Sequence, residues 1–248
     1  MDKNTQGILL HRFEHSDNSA ILKVLTPDEG FCSFIWKGAK RVKKGGGFGS
    51  IALPLNRLEL TARFKGEDNL HLLKEVRVAE PFQRVIADPE RSAIAIFLGE
   101  FLYRIAPSLP PDPEFYQELE ACIRTLDSKT DPRDLHLHFI ARSMIYQGIA
   151  PEGSPGKGDL FDLREGYFKR ESPPHEDLLG SEQCQILDTM LSKGLGEKER
   201  FLKGTSERQD MLRKLIEHHR IHLGEFGKIH SLEVLQEVFS DDSTQPFR

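Results

Sequence analysis

Eight Lys or Arg lie between Lys37 and Lys65 (Lys37, Lys40, Arg41, Lys43, Lys44, Arg57, Arg63 and Lys65), against a single acid, Glu59. Cations at that density neutralise phosphates and release the counterions condensed on them, so the chemistry they suggest is polyanion binding. Four of them, Lys40, Arg41, Lys43 and Lys44, immediately precede a glycine-rich run, Gly45-Gly46-Gly47-Phe48-Gly49. The run lacks the G-x-x-x-x-G-K-[ST] pattern, and a strand pattern follows it where a phosphate-cradling loop requires a helix. A nucleotide-hydrolysing loop is thereby set aside. Two readings remain: backbone and lysines laid along a phosphate chain, or an ordinary solvated loop.

A second group with chemical capacity is His218, His219, His222 and His230. His218 and His222 have the i, i+4 spacing of metal ligands, but no H-E-x-x-H occurs and no third ligand has an obvious place. With Arg213, Lys214 and Arg220 nearby, the group reads as a polar, weakly basic helix face. No Ser-His-Asp order, paired-carboxylate motif or dinucleotide fingerprint appears elsewhere. The expectation is a protein that is not an enzyme, with no cofactor and no metal.

The basic cluster opposes its own chain. The 248 residues carry a formal net charge of −5. Residues 1–80 hold 13 basic and 10 acidic side chains, whereas residues 81–248 hold 21 and 29. A first module with an anionic partner and a second without one would give that asymmetry. No apolar run is long enough for a membrane helix, and the N-terminus, MDKNTQGILLHRFEH, reads as a strand rather than a signal peptide. Three widely spaced cysteines (Cys32, Cys122, Cys184) fit neither a disulfide framework nor a four-cysteine zinc site, so a reducing, cytoplasmic compartment is expected.

The elements that must carry these residues can be read from periodicity. Gly7–Phe13, Ser19–Thr26, Phe31–Lys37, Leu55–Phe64 and Leu70–Val78 are strand patterns, with turns at Glu14–Asn18, Thr26–Gly30 and Gly66–Asn69. Along the third, Cys32, Phe34 and Trp36 share one face, and Phe31, Ser33, Ile35 and Lys37 the other. The Phe34–Trp36 face is either the barrel interior or a base-stacking surface, and its sharing with Cys32 favours the interior; Phe48 is the freer stacking candidate. Along the fourth, Leu58, Leu60, Ala62 and Phe64 point inward and Arg57, Glu59, Thr61 and Arg63 outward. Five short strands in residues 1–80 predict a small closed barrel of the OB type.

The period then becomes helical. Asp88-Pro89, Asp112-Pro113 and Asp131-Pro132 each supply a capping carboxylate followed by proline in a first turn. The helix from Asp88 presents Ile94, Phe97, Leu98, Phe101, Leu102 and Ile105 on one face. The third, apolar on most sides, should be central and end at Gly148. Leu160–Lys169 reads as a hairpin turning near Glu165-Gly166, within an irregular segment at about 149–176. Helices follow at Ser181–Leu191, at Ser206–Leu223 with Ser206 and Gln209 as a capping box, and at Ser231–Phe239, before a tail at Asp241–Arg248. The fold class is therefore α+β: an N-terminal five-stranded OB-type barrel (1–80), then an α-helical domain with a small hairpin insertion (81–248).

Several runs resemble a known family. Thr5–Leu10 (TQGILL), Ser19–Gly30 (SAILKVLTPDEG) and Trp36–Lys44 (WKGAKRVKK) are similar to the amino-terminal module of RecO, a bacterial recombination mediator. Phe161–Phe168 (FDLREGYF) and the IHLGEFGKIHSLEVLQEV run within Leu212–Val238 resemble the carboxyl-terminal region of its Bacteroidetes-like branch. The resemblance spans nearly the whole chain. It implies binding of single- and double-stranded DNA, annealing of complementary strands and assistance to RecA loading on DNA coated with single-strand-binding protein. The partners it implies are RecR, the acidic C-terminal tail of single-strand-binding protein, RecF, and RecA indirectly, with no membrane.

Many relatives carry a zinc site after the third central helix, where this chain has Gly148–Gly153 and no cysteine pair; no structural zinc is expected, with the Leu160–Lys169 hairpin in that region. For the tail, the resemblance points to the helix Leu135–Tyr146, with His138, Phe139 and Arg142 as contacts; alternatively Phe139 is core and Arg142 a solvated charge. Two other classes stay open from the residues alone: an OB protein–protein adaptor and an RNA-binding OB protein. DNA binding would rest on Lys37, Lys40, Arg41, Lys43, Lys44, Arg57, Arg63 and Lys65.

Overall fold

The computed structural model describes residues 2–38, 51, 53–64, 70–195, 200–224 and 227–240. Five strands, β1 (Asp2–Ser16), β2 (Ser19–Thr26), β3 (Gly30–Lys37), β4 (Arg57–Arg63) and β5 (Leu70–Val78), close into a barrel in the order β1-β2-β3-β5-β4. All neighbours are antiparallel except β3 and β5. Closure removes the open edges that a five-stranded sheet would otherwise expose.

β1 is longer than its hydrophobic alternation indicates. Its first half, Asp2–Ile8, pairs with β4 and its second half with β2, with a register shift between Leu9 and His11. The polar residues at Asp2–Gln6 are held by backbone ladder bonds, which hydrophobicity does not report.

The barrel interior is filled by alternate residues of every strand, including Leu9, Leu22, Val24, Phe34, Leu58 and Leu60. Cys32, Phe34 and Trp36 are 3%, 0% and 6% exposed, so their face is the interior. Inward Phe34 meets Phe64 edge-on at 5.7 Å.

The chain divides into two compact units, 1–117 with 229–235 and 118–228 with 236–248. The first unit includes α1 (Pro89–Ile105), whose N-cap Asp88 accepts from the Glu90 and Arg91 amides. α1 lies against β1 at Gly99, where an added Cβ would stand 2.5 Å from Pro54 Cβ and 3.2 Å from the Leu10 carbonyl oxygen. Only glycine allows that approach. Asp112 caps α2 (Pro113–Leu126) in the same way, accepting from Glu114 and Phe115 at 2.8 and 3.1 Å.

The second unit is built on α3 (Leu135–Tyr146), buried along nearly its whole length, and Gly148 follows at φ +67. α3 opens three residues later than its Asp-Pro signal suggests. Asp131 accepts instead from the amide and guanidinium of Arg133. Asp134 occupies the N-cap position but turns away from it, accepting from the Phe201 and Leu202 amides and from Arg208 Nε at 2.5 Å. A long-range charge partner thus displaces the local cap.

After α3 come β6 (Leu160–Asp162), β7 (Tyr167–Lys169) and β8 (Leu178–Leu179), a three-stranded sheet with β6 in the middle. The hairpin turns at Gly166 (φ +75), with Asp162 Oδ1 accepting from the Arg164 and Glu165 amides. α4 (Ser181–Ser192), α5 (Thr205–Leu223) and α6 (Ser231–Ser240) complete the described chain. At the start of α5 Glu207, not Gln209, closes the first turn, its carboxylate accepting from the Lys203 and Gly204 amides. Among the described residues no helix is long and apolar enough to cross a membrane.

Candidate nucleic-acid interface

Lys40, Arg41, Lys43, Lys44 and Lys65, with Gly45–Gly49, lie outside the described residues. Lys37, the last residue of β3, is exposed on the outer face of the barrel and leads directly into them.

The outward face of β4 is a row of paired charges. Arg57 meets Glu80, Arg63 Nε donates to Asp2 Oδ1 at 3.0 Å, and Arg77 Nε on β5 donates to Glu59 at 2.6 Å. Thr61 Oγ1 donates to Asn4 at 2.9 Å between them. Exposed pairs of this kind contribute about 0–1 kcal/mol each. Arg57 and Arg63 are therefore not bare cations.

A different face of the barrel carries aromatic rings. Across β1, β2 and β3 the register aligns His11 with Lys23 and Ser33, and Phe13 with Ile21 and Ile35. The next row towards the end of β3 pairs Ser19 with Lys37. Tyr103 of α1 sits among these residues, its ring stacked on His11 at 4.9 Å and 5.9 and 6.2 Å from Phe13 and Phe31. Lys23 Nζ lies 5.6 Å over Phe31, and the Arg104 guanidinium 5.7 Å over Tyr103. His11 and Phe13 share a face by the alternation of β1, a signal the strand pattern carries. Tyr103, some ninety residues on, had no local signal.

In the second unit, His138, Phe139 and Arg142 are placed by α3 and turned to structural use. Phe139 is fully buried. His138 Nε2 lies 3.0 Å from the carbonyl oxygens of both Met190 and Lys193, and Arg142 Nη1 donates to Leu191 O at 2.6 Å. Met190 and Leu191 lie in the last turn of α4 and Lys193 is its C-cap, where carbonyls lack partners within the helix. Arg142 also grips Glu118 through two bonds of 2.9 Å, and the Tyr146 hydroxyl donates to the same carboxylate at 3.0 Å. Burial pushes the Glu118 carboxyl up, but the Arg142 bonds and charge outweigh it and hold the group below its ordinary value.

The histidine group does not form one polar helix face: His230 is exposed and His222 half-buried. His218 and His219 are fully buried. His218 Nδ1 and Nε2 lie 3.0 and 2.8 Å from the carbonyl oxygens of Leu163 and Ile149, and His222 Nε2 lies 2.9 Å from Leu163 O. They join α5 to the small sheet, a role that only the docking of the hairpin reveals. Burial pushes the pKa of His219 down to about 3 and lowers that of His218. Among the described residues no three His, Cys, Asp or Glu are grouped to hold a metal.

Comparison with known proteins accords with this architecture. Residues 1–82 match the family described as recombination protein O N terminal, and residues 86–233 match recombination protein O C terminal. The DNA repair protein RecO of Porphyromonas gingivalis (strain ATCC 33277) is 29% identical over 240 residues, covering 95% of this chain and 98% of that protein. Its counterpart in Phocaeicola vulgatus is 30% identical over 242 residues, covering 97% and 100%. A solved asparaginyl-tRNA synthetase of Entamoeba histolytica is 12% identical and covers 96% of this chain and 55% of its own, with a TM-score of 0.26 that is too low to bear on the fold. Both halves of the chain, barrel and helices, thus match one family end to end: the chain belongs to the recombination protein O family, and its role is in DNA repair.

Proposed function

We propose that this protein is a recombination mediator without catalytic turnover, which binds single- and double-stranded DNA, anneals complementary strands and assists RecA loading onto DNA coated with single-strand-binding protein. The observation that carries the reading is the basic segment Lys37–Lys65, eight cations to one acid in a chain of net charge −5, on a barrel of a DNA-repair family. The barrel module, residues 1–80, takes the DNA; the helical module, residues 81–248, takes protein partners.

The mechanism follows from charge. Two single strands repel each other through their phosphates, and a surface that neutralises both lowers that repulsion while releasing counterions. Lys37, Lys40, Arg41, Lys43, Lys44 and Lys65 supply cations, and Arg57 and Arg63 add theirs by exchanging Glu80 and Asp2 for phosphate. Such contacts read no base edges, so binding is independent of sequence.

RecR and the acidic tail of single-strand-binding protein are the protein partners of this reading. Arg142 would engage a tail carboxylate by releasing Glu118, a group of the same chemistry.

The test is the affinity for oligothymidine as a function of salt, for wild type and for Lys40, Arg41, Lys43 and Lys44 replaced together by Ala. Each lost phosphate contact lowers the log–log slope by about 0.7, so the quadruple variant should lose roughly 3. An unchanged slope removes the loop from the interface. Annealing of complementary strands coated with single-strand-binding protein tests the activity itself, and no acceleration at any protein concentration rejects it.

A further inference from the structure

We propose that the outer face of β1, β2 and β3, closed by Tyr103 of α1, is a base-stacking platform that gives the barrel a preference for single-stranded DNA. This inference rests on the DNA-binding reading above and adds a site separate from its basic loop.

The rings are His11, Phe13, Phe31 and Tyr103, in one contiguous group with centroid separations of 4.4 to 6.2 Å. They stand outside a barrel whose interior is already filled by Phe34, Trp36 and their neighbours. Phe13 is 37% exposed, far more than a ring serving only as core. Between and beside the rings lie Lys23 and Arg104, each within cation–π range of one of them. Aromatic faces interleaved with cations are what a single strand requires: flat apolar partners for unpaired bases and positive charge for the phosphates between them.

The face also leads towards the basic segment. Phe31, Ser33, Ile35 and Lys37 share one side of β3, a path of about 20 Å at the usual strand rise, and Lys37 opens the basic run. A strand lying along β3 would place bases on the rings and its next phosphate on Lys37. A duplex keeps its bases stacked on each other and has none to offer the rings. The platform therefore discriminates between the two forms of DNA, whereas the basic segment binds both.

The experiment uses the full chain and three probes: oligothymidine of about 20 nucleotides, an abasic strand of the same length, and a duplex of the same length. Removing an aromatic partner weakens binding roughly 5- to 150-fold per stacked base. Wild type should prefer oligothymidine to the abasic strand by about tenfold or more. Phe13→Ala combined with Tyr103→Leu should abolish that preference while duplex affinity changes less than about twofold.

Equal wild-type affinity for oligothymidine and the abasic strand overturns the platform and leaves the basic-segment reading standing. Absence of binding to all three probes overturns both. Photocrosslinking of wild type with an iodouracil-substituted strand avoids any effect of the variants on folding. Crosslinks at Phe13, Phe31 or Tyr103 are expected, and crosslinks confined to other residues overturn the proposal.

Discussion

Replacing Arg142 by Met keeps most of the side-chain volume and removes the guanidinium that joins Glu118 to the end of α4. The variant loses two 2.9 Å bonds to Glu118 and one of 2.6 Å to Leu191 O. It leaves the Glu118 carboxylate, 12% exposed, with only the Tyr146 hydroxyl among these donors. Breaking a buried pair costs about 3–5 kcal/mol, and the 18% exposure of Arg142 places this one near the lower end. At about 2–4 °C per kcal/mol for a chain of this size, Tm should fall by roughly 6–12 °C.

The sharper assay is a double-mutant cycle with Glu118→Gln in urea unfolding, where a coupling of about 2 kcal/mol is expected at neutral pH. The sign of its pH dependence is fixed. Glu118 is held below its ordinary value of 4.5, so its contribution is present above that value and is lost as pH falls through the folded-state value. A coupling within about 0.5 kcal/mol of zero at neutral pH refutes the structural role. A loss of affinity for the tail of single-strand-binding protein with no loss of stability would leave Arg142 its proposed contact role and remove the structural one.

Two further outcomes follow from packing and burial. Gly99→Ala, favoured by helix propensity by about 1 kcal/mol, should nevertheless destabilise by about 1–3 kcal/mol because its Cβ would crowd Pro54 and Leu10. A stabilised variant would contradict the close approach of α1 to β1. Burial lowers the pKa of His136 and His219 to about 3 from 6.5, so both fold as neutral imidazoles while the unfolded chain takes up their protons first. Their stabilisation is therefore intact above pH 6.5 and is lost on acidification towards pH 3, by about 1 kcal/mol each at pH 5.5. Urea midpoints measured between pH 7.5 and 5.5 check this, and a flat profile rejects it.

Signals confined to a few neighbouring residues were legible. The alternation of Ser19–Thr26 and Leu70–Val78 defines β2 and β5 with the observed bounds. Asp88 and Asp112 announce their helices because an N-cap reaches only two or three residues ahead. The same signal failed at Asp131, whose carboxylate accepts from the amide and guanidinium of Arg133, while Asp134 at the N-cap position is committed to Arg208, 74 residues on. His218 read as part of a polar, weakly basic helix face, yet its ring lies between carbonyls 55 and 69 residues away.

By itself the sequence determined the order of the barrel strands and of the helices, the filled face of β3 and the basic segment, since all of these are written in local periodicity and charge. Only the tertiary structure decided what the polar side chains do. It closed the first strand onto the fourth, neutralised the outward arginines, turned Arg142 and His138 onto the end of α4, and gathered Tyr103 with His11, Phe13 and Phe31. The physical reason is range: propensity and capping act within a turn, whereas an ion pair or a ring stack depends on which distant segments the packed core brings together.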